Sequence, residues 1–363
     1  MRYKKKLIVL SILIIALMVI QYLLKTAPKA LEIYNTCIFF PYQFFRTFMF
    51  KFIPFSIGDI LYAAAILSLV ILIIRWLYLL IRVRKYKYAI LESVLYALII
   101  FTSVYIYFLI AWGANYYKPA LSSFWHLAKP KSRTEDSAAI VSFDKYLVDK
   151  LNTYAPHYHS IPFDETNKKS LDYYKLYTDY KNKPQGLKVK RSLFGRLIQH
   201  LEIEGYYNPF TGESQINEHL PAFIMPFVVC HEMAHQAGIA AEGDANLLAY
   251  AIGTSAHDSS FNYSCYLNIW FYTQSRLNRR NHVLAKQLES QLNDLTKAQI
   301  DTLEQIRKQY VSEFSKYSSD LYDNYLRLHQ QKEGIHSYGN VAASAWAWEE
   351  RKKKMPDSLI TIP

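Results

Sequence analysis

The chain has 363 residues and a formal net charge of +12, with 51% hydrophobic and 16% aromatic residues, room for a membrane region and one further domain. Its basic excess is confined to one end: residues 1–115 hold 13 of the 42 Lys and Arg, against only Glu32, Asp59 and Glu92. A nucleic-acid binder carries that excess on its folded domain, so nucleic acid is excluded as a partner and the charge is read as membrane topology.

In chain order, three stretches are apolar over the ~20 residues that a helix needs to cross a bilayer: about 7–24, 57–81 and 89–112. The first follows a basic start, as a signal peptide would, but it is long for one and no A-x-A-like site follows, so it is read as an uncleaved anchor. Basic clusters at Arg2–Lys6 and at Arg82, Arg84, Lys85 and Lys87 then fall on one side, which the positive-inside rule makes cytoplasmic. Residues 25–59 are expected as an external loop, and everything after Trp112 outside the cytoplasm. The expected division is a membrane anchor over 1–115 and an extracytoplasmic domain over 116–363, at the bacterial cytoplasmic membrane with the domain periplasmic.

Beyond the spans, Ser132 to Asp136 supply cap residues for a helix reaching about Tyr154. Residues 188–205 are ambiguous between helix and strand. Residues 205–217 (GYYNPFTGESQIN) mix turn residues with a short strand-like SQIN. Residues 221–238 read as one helix, 242–256 as a second, and 283–333 as one long helix or an antiparallel pair. The charged tail from Arg351 is expected to fray. The fold class is α+β, mostly helical with a small sheet. Cys37, Cys230 and Cys265 have no CxxC spacing and define neither a zinc site nor a disulfide framework.

The chemistry concentrates in residues 227–250, FVVCHEMAHQAGIAAEGDANLLAY. His231 and His235 lie four apart, on one face of a helix, so both imidazoles reach one Zn²⁺. Glu232 stands beside the first of them, placed to take a proton from a metal-bound water. The preceding run, Phe227 to Cys230, is apolar and makes a buried helix. Gly238 ends it with the left-handed conformation available, turning the chain back, and Glu242 then begins a second helix with a third ligand. The apolar run before His231 is only about a dozen residues, too short to put this site inside the bilayer.

At these residues the chain resembles the gluzincin-like zincins: HEMAH matches HExxH, and Glu242-x-x-x-Asn246 is similar to their ExxxD. The resemblance implies that Glu242 is the third zinc ligand and that Asn246 orients a ligand histidine, although Asn brings no negative charge. The short gap after His235 is closer to the compact layout of metzincins, which puts the third ligand at Ala241, a residue unable to bind metal. Asp244 is the alternative ligand. Over nearly its whole length the chain resembles an uncharacterised family of bacterial membrane proteins, domain of unknown function 3810, through GYYNPFTGESQIN, LPAFIMPFVVCHEMAHQAGIAAEGDAN and GIHSYGNV. That resemblance implies a peptidase-like zinc domain and no particular substrate.

Three further assignments complete the reading. Ser214 to Asn217 form either an edge strand that pairs with an extended peptide substrate or a plain hairpin. Tyr263 or Tyr338 is an oxyanion donor if either of them is catalytic, while His219 and His257 are read as non-ligands. The expected activity is hydrolysis of peptide bonds in peptide or protein substrates by a zinc-activated water, with Glu232 as general base and no cofactor besides Zn²⁺. The alternative is a non-catalytic zinc-binding membrane scaffold.

Overall fold

A computed structural model describes residues 2–128, 132–178, 186–310, 338–355 and 359–363. Three helices in it are long and apolar enough to cross a membrane: α1 (Arg2–Thr26), α4 (Ile57–Ile81) and α5 (Val83–Ala111). Their side chains are largely exposed, as expected of helices whose solvent is lipid. Ser56 caps α4, its Oγ accepting from Asp59 N at 3.0 Å.

The connection between the first two spans differs from the expected loop. It is helical: α2 (Pro28–Ile33), a π-helical turn (Tyr34–Phe39) and α3 (Phe40–Phe50). It is also packed into the rest of the protein. Tyr34 and Phe39 join Leu24, Phe108, Leu109, Trp112 and Ala240 in one apolar cluster. Gln43 and Arg46 are buried on the inner face of α3. Its turns form because the inward side chains find partners on a part of the chain some 160 residues away, which local sequence does not announce.

The small sheet has three strands, β1 (Val189–Arg191), β2 (Gly205–Asn208) and β3 (Glu213–Ile216), in the order β1-β3-β2. β1 runs parallel to β3 and β2 antiparallel to it. The SQIN segment therefore enters the central strand, paired on both sides: of the two readings left open for it, the structure has the hairpin with β2 and not the edge strand. The ambiguous stretch before β2 resolves into β1 and a short helix (Gly195–His200).

Helices cover the sheet and build the main core: α6 (Leu121–Phe124), α7 (Arg133–Tyr154), α8 (Phe163–Tyr177), α9 (Met225–Gln236), α10 (Glu242–Ser255), α11 (Ser259–Arg280) and α12 (Tyr338–Lys354). α7 is capped by Ser132 as the sequence predicts, with Oγ accepting from Glu135 N at 3.1 Å. α9 starts four residues later than expected. Pro226 sits in its first turn, where a missing N–H costs nothing, and residues 221–224 form turns instead. Residues 282–310 are two helices (His282–Glu289 and Asp294–Tyr310), and the remainder of the long helix expected up to 333 lies outside the described residues. The tail is docked, not frayed. Ile360 bridges to Thr178, Trp125 Nε1 donates to Thr361 O at 2.6 Å, and Ile360 and Ile362 are buried.

One sheet face packs on α9, through Ser214 Oγ to Glu232 O at 2.8 Å. The opposite face packs on the start of the second span. Lys190 Nζ lies 2.5 Å from Glu213 Oε1 and donates to Phe50 O and Phe55 O. Glu213 Oε2 accepts from Gly58 N at 2.7 Å. Asp59 accepts from Leu193 N at 2.7 Å and from the hydroxyls of Ser192 and Tyr206. A carboxylate at the N-terminus of α4 is favoured by the helix dipole, so Glu213 both caps a span and neutralises a buried lysine.

Candidate metal centre

The site is built by two helices and the turn between them. After α9, Gly238 adopts φ +87°, open to glycine at no steric cost. Ile239 N then bonds Ala234 O and Gly238 N bonds His235 O, the pairing that closes a helix with a left-handed residue. The turn brings Ile239 O back to accept a hydrogen bond from His235 Nδ1 at 2.7 Å. With Nδ1 committed as a donor, Nε2 is the nitrogen left to face a metal, the arrangement that metal-binding histidines adopt.

Glu242, the first residue of α10, meets both rings. Its carboxylate lies 3.2 Å from His231 Nε2 and 3.6 Å from His235 Nε2, and the two Nε2 atoms are 3.1 Å apart. Among the described residues, His231, His235 and Glu242 are the group whose ligand atoms all fall within 4.8 Å of one another. Tetrahedral bonds of about 2.0–2.1 Å place ligand atoms about 3.3 Å apart, so the donor set and its spacing fit Zn²⁺. Asp244 is not among these donors. It sits against the chain at Leu121, whose N–H it accepts, and burial pushes its carboxyl up to about 6.

The electrostatics are those of a buried charge cluster. Desolvation disfavours ionisation of Glu242, but the His235 and His231 rings outweigh it and hold the carboxyl well below the usual range. Burial opposes charge on His235 too, and the Glu242 carboxylate overcomes it, raising the ring to about 9. His231 is lowered, chiefly by desolvation. Glu232 is 2% exposed, and its Oε2 has no hydrogen-bonding partner among the described residues. Burial, reinforced by the charges of Glu242 and Glu204, raises it to about 8.

Four nearby residues shape the site. A Cβ on Gly205, the first residue of β2, would come 2.5 Å from Glu232 Oε1, so the glycine lets an edge strand run directly over the candidate base. Asn246 is buried against the His231 ring and interacts with it. Tyr272 on α11 faces Glu204 and Glu242, with its hydroxyl at Asn246. Trp112, the residue that caps the third span, packs against Tyr207 at a 36° tilt with centroids 4.2 Å apart and meets the His235 ring edge-on at 6.1 Å.

Other candidates lie elsewhere. Tyr263 is fully buried, bonded to Thr296 Oγ1 at 3.3 Å, and is removed from the oxyanion role because its hydroxyl points into the helical core. The Tyr338 side chain lies outside the described residues. Ser214 and Asn217 are consumed within the fold, Ser214 on Glu232 O and Asn217 Oδ1 on His219 N. Gly205, Tyr272 and Trp112 escape sequence reading. Only the first had a signal, as a glycine opening a strand-like run, while Tyr272 is one of 31 tyrosines.

Fold and site together define a mostly helical chain in which three membrane-length helices adjoin a partly buried His-His-Glu cluster with a second, buried glutamate beside it. A family of proteins of unknown function, DUF3810, matches residues 34–343, and the chain belongs to that family. No curated protein and no solved structure matches it.

Proposed function

We propose that this protein is a membrane-anchored zinc-dependent peptidase with a zincin-like domain over residues 116–363. The observation that carries the reading is the convergence of three ligand-type atoms within 4.8 Å beside a buried glutamate with an unpartnered oxygen. His231, His235 and Glu242 would hold Zn²⁺ through two Nε2 atoms and a carboxylate oxygen. Bound there, zinc supplies Lewis acidity, lowering the pKa of a water and polarising a carbonyl. Glu232, returned to its carboxylate form by the positive charge of zinc bound there, would take the proton of the attacking water and pass it to the leaving amine. Asn246 supports the His231 ring. Tyr272, and not Tyr263, is the tyrosine that faces this cluster. The free edge of β2 beside Gly205, and not β3, is the strand that an extended peptide would join.

The membrane is the bacterial cytoplasmic membrane and the domain is periplasmic, following the basic clusters at Arg2–Lys6 and Arg82–Lys87. The substrates are peptides or proteins. The test uses the full chain in detergent, with metal content and peptide hydrolysis measured for wild type, His235→Ala and Glu232→Gln. Wild type should hold about one zinc, lost in His235→Ala. Glu232→Gln should keep zinc and lose activity by about 10²–10⁴-fold. A folded, zinc-supplemented wild type without metal would overturn the reading. Zinc bound with no hydrolysis in any form would favour the scaffold alternative.

A further inference from the structure

Helix α3 is built inside out for a helix in water. Its polar residues Gln43 and Arg46 face the protein, whereas every exposed position is apolar: Pro41, Phe44, Phe45, Phe48 and Met49. The exposures are 51–55% for the three phenylalanines and the methionine, and Phe52 just beyond reaches 77%. Elsewhere outside the spans, exposed large apolar residues stand mostly singly, as on any soluble surface. A contiguous aromatic face of this kind marks a contact surface.

Two observations identify what covers it. The segment is continuous with the membrane helices at both ends, leaving α1 at Thr26 and entering α4 at Ile57, so both its ends lie at one bilayer surface. The chain beside the start of α4 repeats the pattern: Leu193, whose N–H bonds Asp59 in the first turn of α4, and Leu197 are 52% and 55% exposed. The ammonium of Lys51 lies over the rings of Phe48 and Phe52 at 4.8 and 4.6 Å, a cation at headgroup level above aromatic rings.

We infer that α3 lies in the plane of the bilayer interface, its Phe44–Phe48–Phe52 face immersed among acyl chains and glycerol groups. It joins the three spans as a fourth membrane element and is flanked by Leu193 and Leu197. Interfacial helices bury an apolar face about 5–10 Å into this boundary. Its inner face fixes the sheet to that level. Gln43 Nε2 donates to Gly212 O at 2.8 Å, Arg46 Nη1 to Pro209 O at 2.6 Å, and Arg46 Nη2 to Ala111 O, the last carbonyl of α5, at 3.2 Å. The inference rests on α1, α4 and α5 crossing the membrane and is independent of the peptidase reading.

The test is collision accessibility of nitroxide labels on the full chain in phosphatidylcholine vesicles containing phosphatidylglycerol. Labels are attached to Phe44→Cys, Phe48→Cys, Phe52→Cys and Leu197→Cys in a Cys37→Ser background. The two remaining cysteines are buried, and the labelled positions are exposed, so folding is preserved. Leu69→Cys in the second span and Lys286→Cys on an exposed helix surface are the references. Oxygen should exceed a water-soluble nickel chelate at the α3 and Leu197 positions, as at Leu69 and opposite to Lys286. Chelate-dominated collisions, as at Lys286, would overturn the inference. So would protection from both reagents with spin–spin broadening, which would assign the face to a second copy of this chain.

Discussion

Ser214 Oγ donates to the backbone carbonyl of Glu232, so the central strand is bonded to the helical residue that carries the candidate base. Sheet and helix move as one body at this point. The free strand next door, β2, crosses the same glutamate with only a hydrogen at Gly205 between them.

Gly205→Ala is therefore expected to separate metal binding from activity. The added methyl would meet Glu232 Oε1 at 2.5 Å and the Gln215 carbonyl of the neighbouring strand at 2.9 Å, so the carboxylate and β2 itself must shift, while none of the three ligand atoms is among its nearest neighbours. Zinc content should equal wild type while peptide hydrolysis falls by at least about ten-fold, a displacement of general-base geometry being costly. Unchanged hydrolysis would show that Glu232 acts from another position.

The identity of the third ligand is open to direct measurement. His231→Ala, His235→Ala and Glu242→Ala should each abolish stoichiometric zinc, whereas Asp244→Ala should retain it. Asn246→Ala should weaken zinc about ten-fold, as removal of a group supporting a ligand histidine does. Zinc lost from Asp244→Ala and retained in Glu242→Ala would reverse the assignment.

Asp144 makes stability fall with rising pH. Its two carboxyl oxygens are buried without a partner among the described residues, and burial, with the charge of Glu289, raises it to about 7. The folded state thus holds a proton that the unfolded chain releases near 4, and stability declines as pH rises from about 4 through 7. Asp144→Asn should raise the melting temperature clearly at pH 8 and little at pH 4. An equal gain at both values would assign the effect to packing.

Glu349 on the last helix accepts hydroxyls from two others, Tyr146 at 2.8 Å and Tyr250 at 2.8 Å, and it is buried. Glu349→Ala removes the acceptor from both hydroxyls, leaving Tyr146 with Tyr266 alone, and should cost about 2–4 kcal/mol, read by chemical denaturation. Glu349→Gln, which keeps an acceptor and adds a donor, should lose less. Because Tyr250 lies on the helix that begins with Glu242, part of the loss should appear as weaker zinc retention on heating.

Cutting the chain at residue 116 should not release a well-behaved domain. Lys190 and Glu213 would lose Phe50 O, Phe55 O and Gly58 N, and Gly212 O and Pro209 O would lose Gln43 and Arg46. A fragment beginning at 116 is expected to aggregate, and one that keeps residues 34–60 and the third span to stay monodisperse in detergent. Size-exclusion chromatography distinguishes them.

The site was legible where its geometry is local. His231 and His235 are four apart on one helix, and Gly238 dictates the turn that returns the chain, so the approach of Glu242 follows from residues within twelve positions. Pro226 held the true start of that helix in plain view. The strand order was not legible, because Val189 pairs with Ser214 across 25 positions and SQIN reads the same in the centre as at the edge. Nor was α3: polar residues facing inward are legible only once Gly212, Pro209 and Tyr207 are known to lie behind them. Tyr272 reaches the cluster by the packing of one helix, which a tyrosine-rich sequence does not mark.

The third span ends at Ala111, and the ring of the next residue, Trp112, already touches that of His235. No stalk intervenes, so the cluster has a fixed altitude over the lipid and no freedom to sweep a volume. Encounter then becomes a search over an area. A target sharing the same membrane is concentrated by confinement, as a tether raises effective concentration, and a target free in solution must come down to the surface to be met.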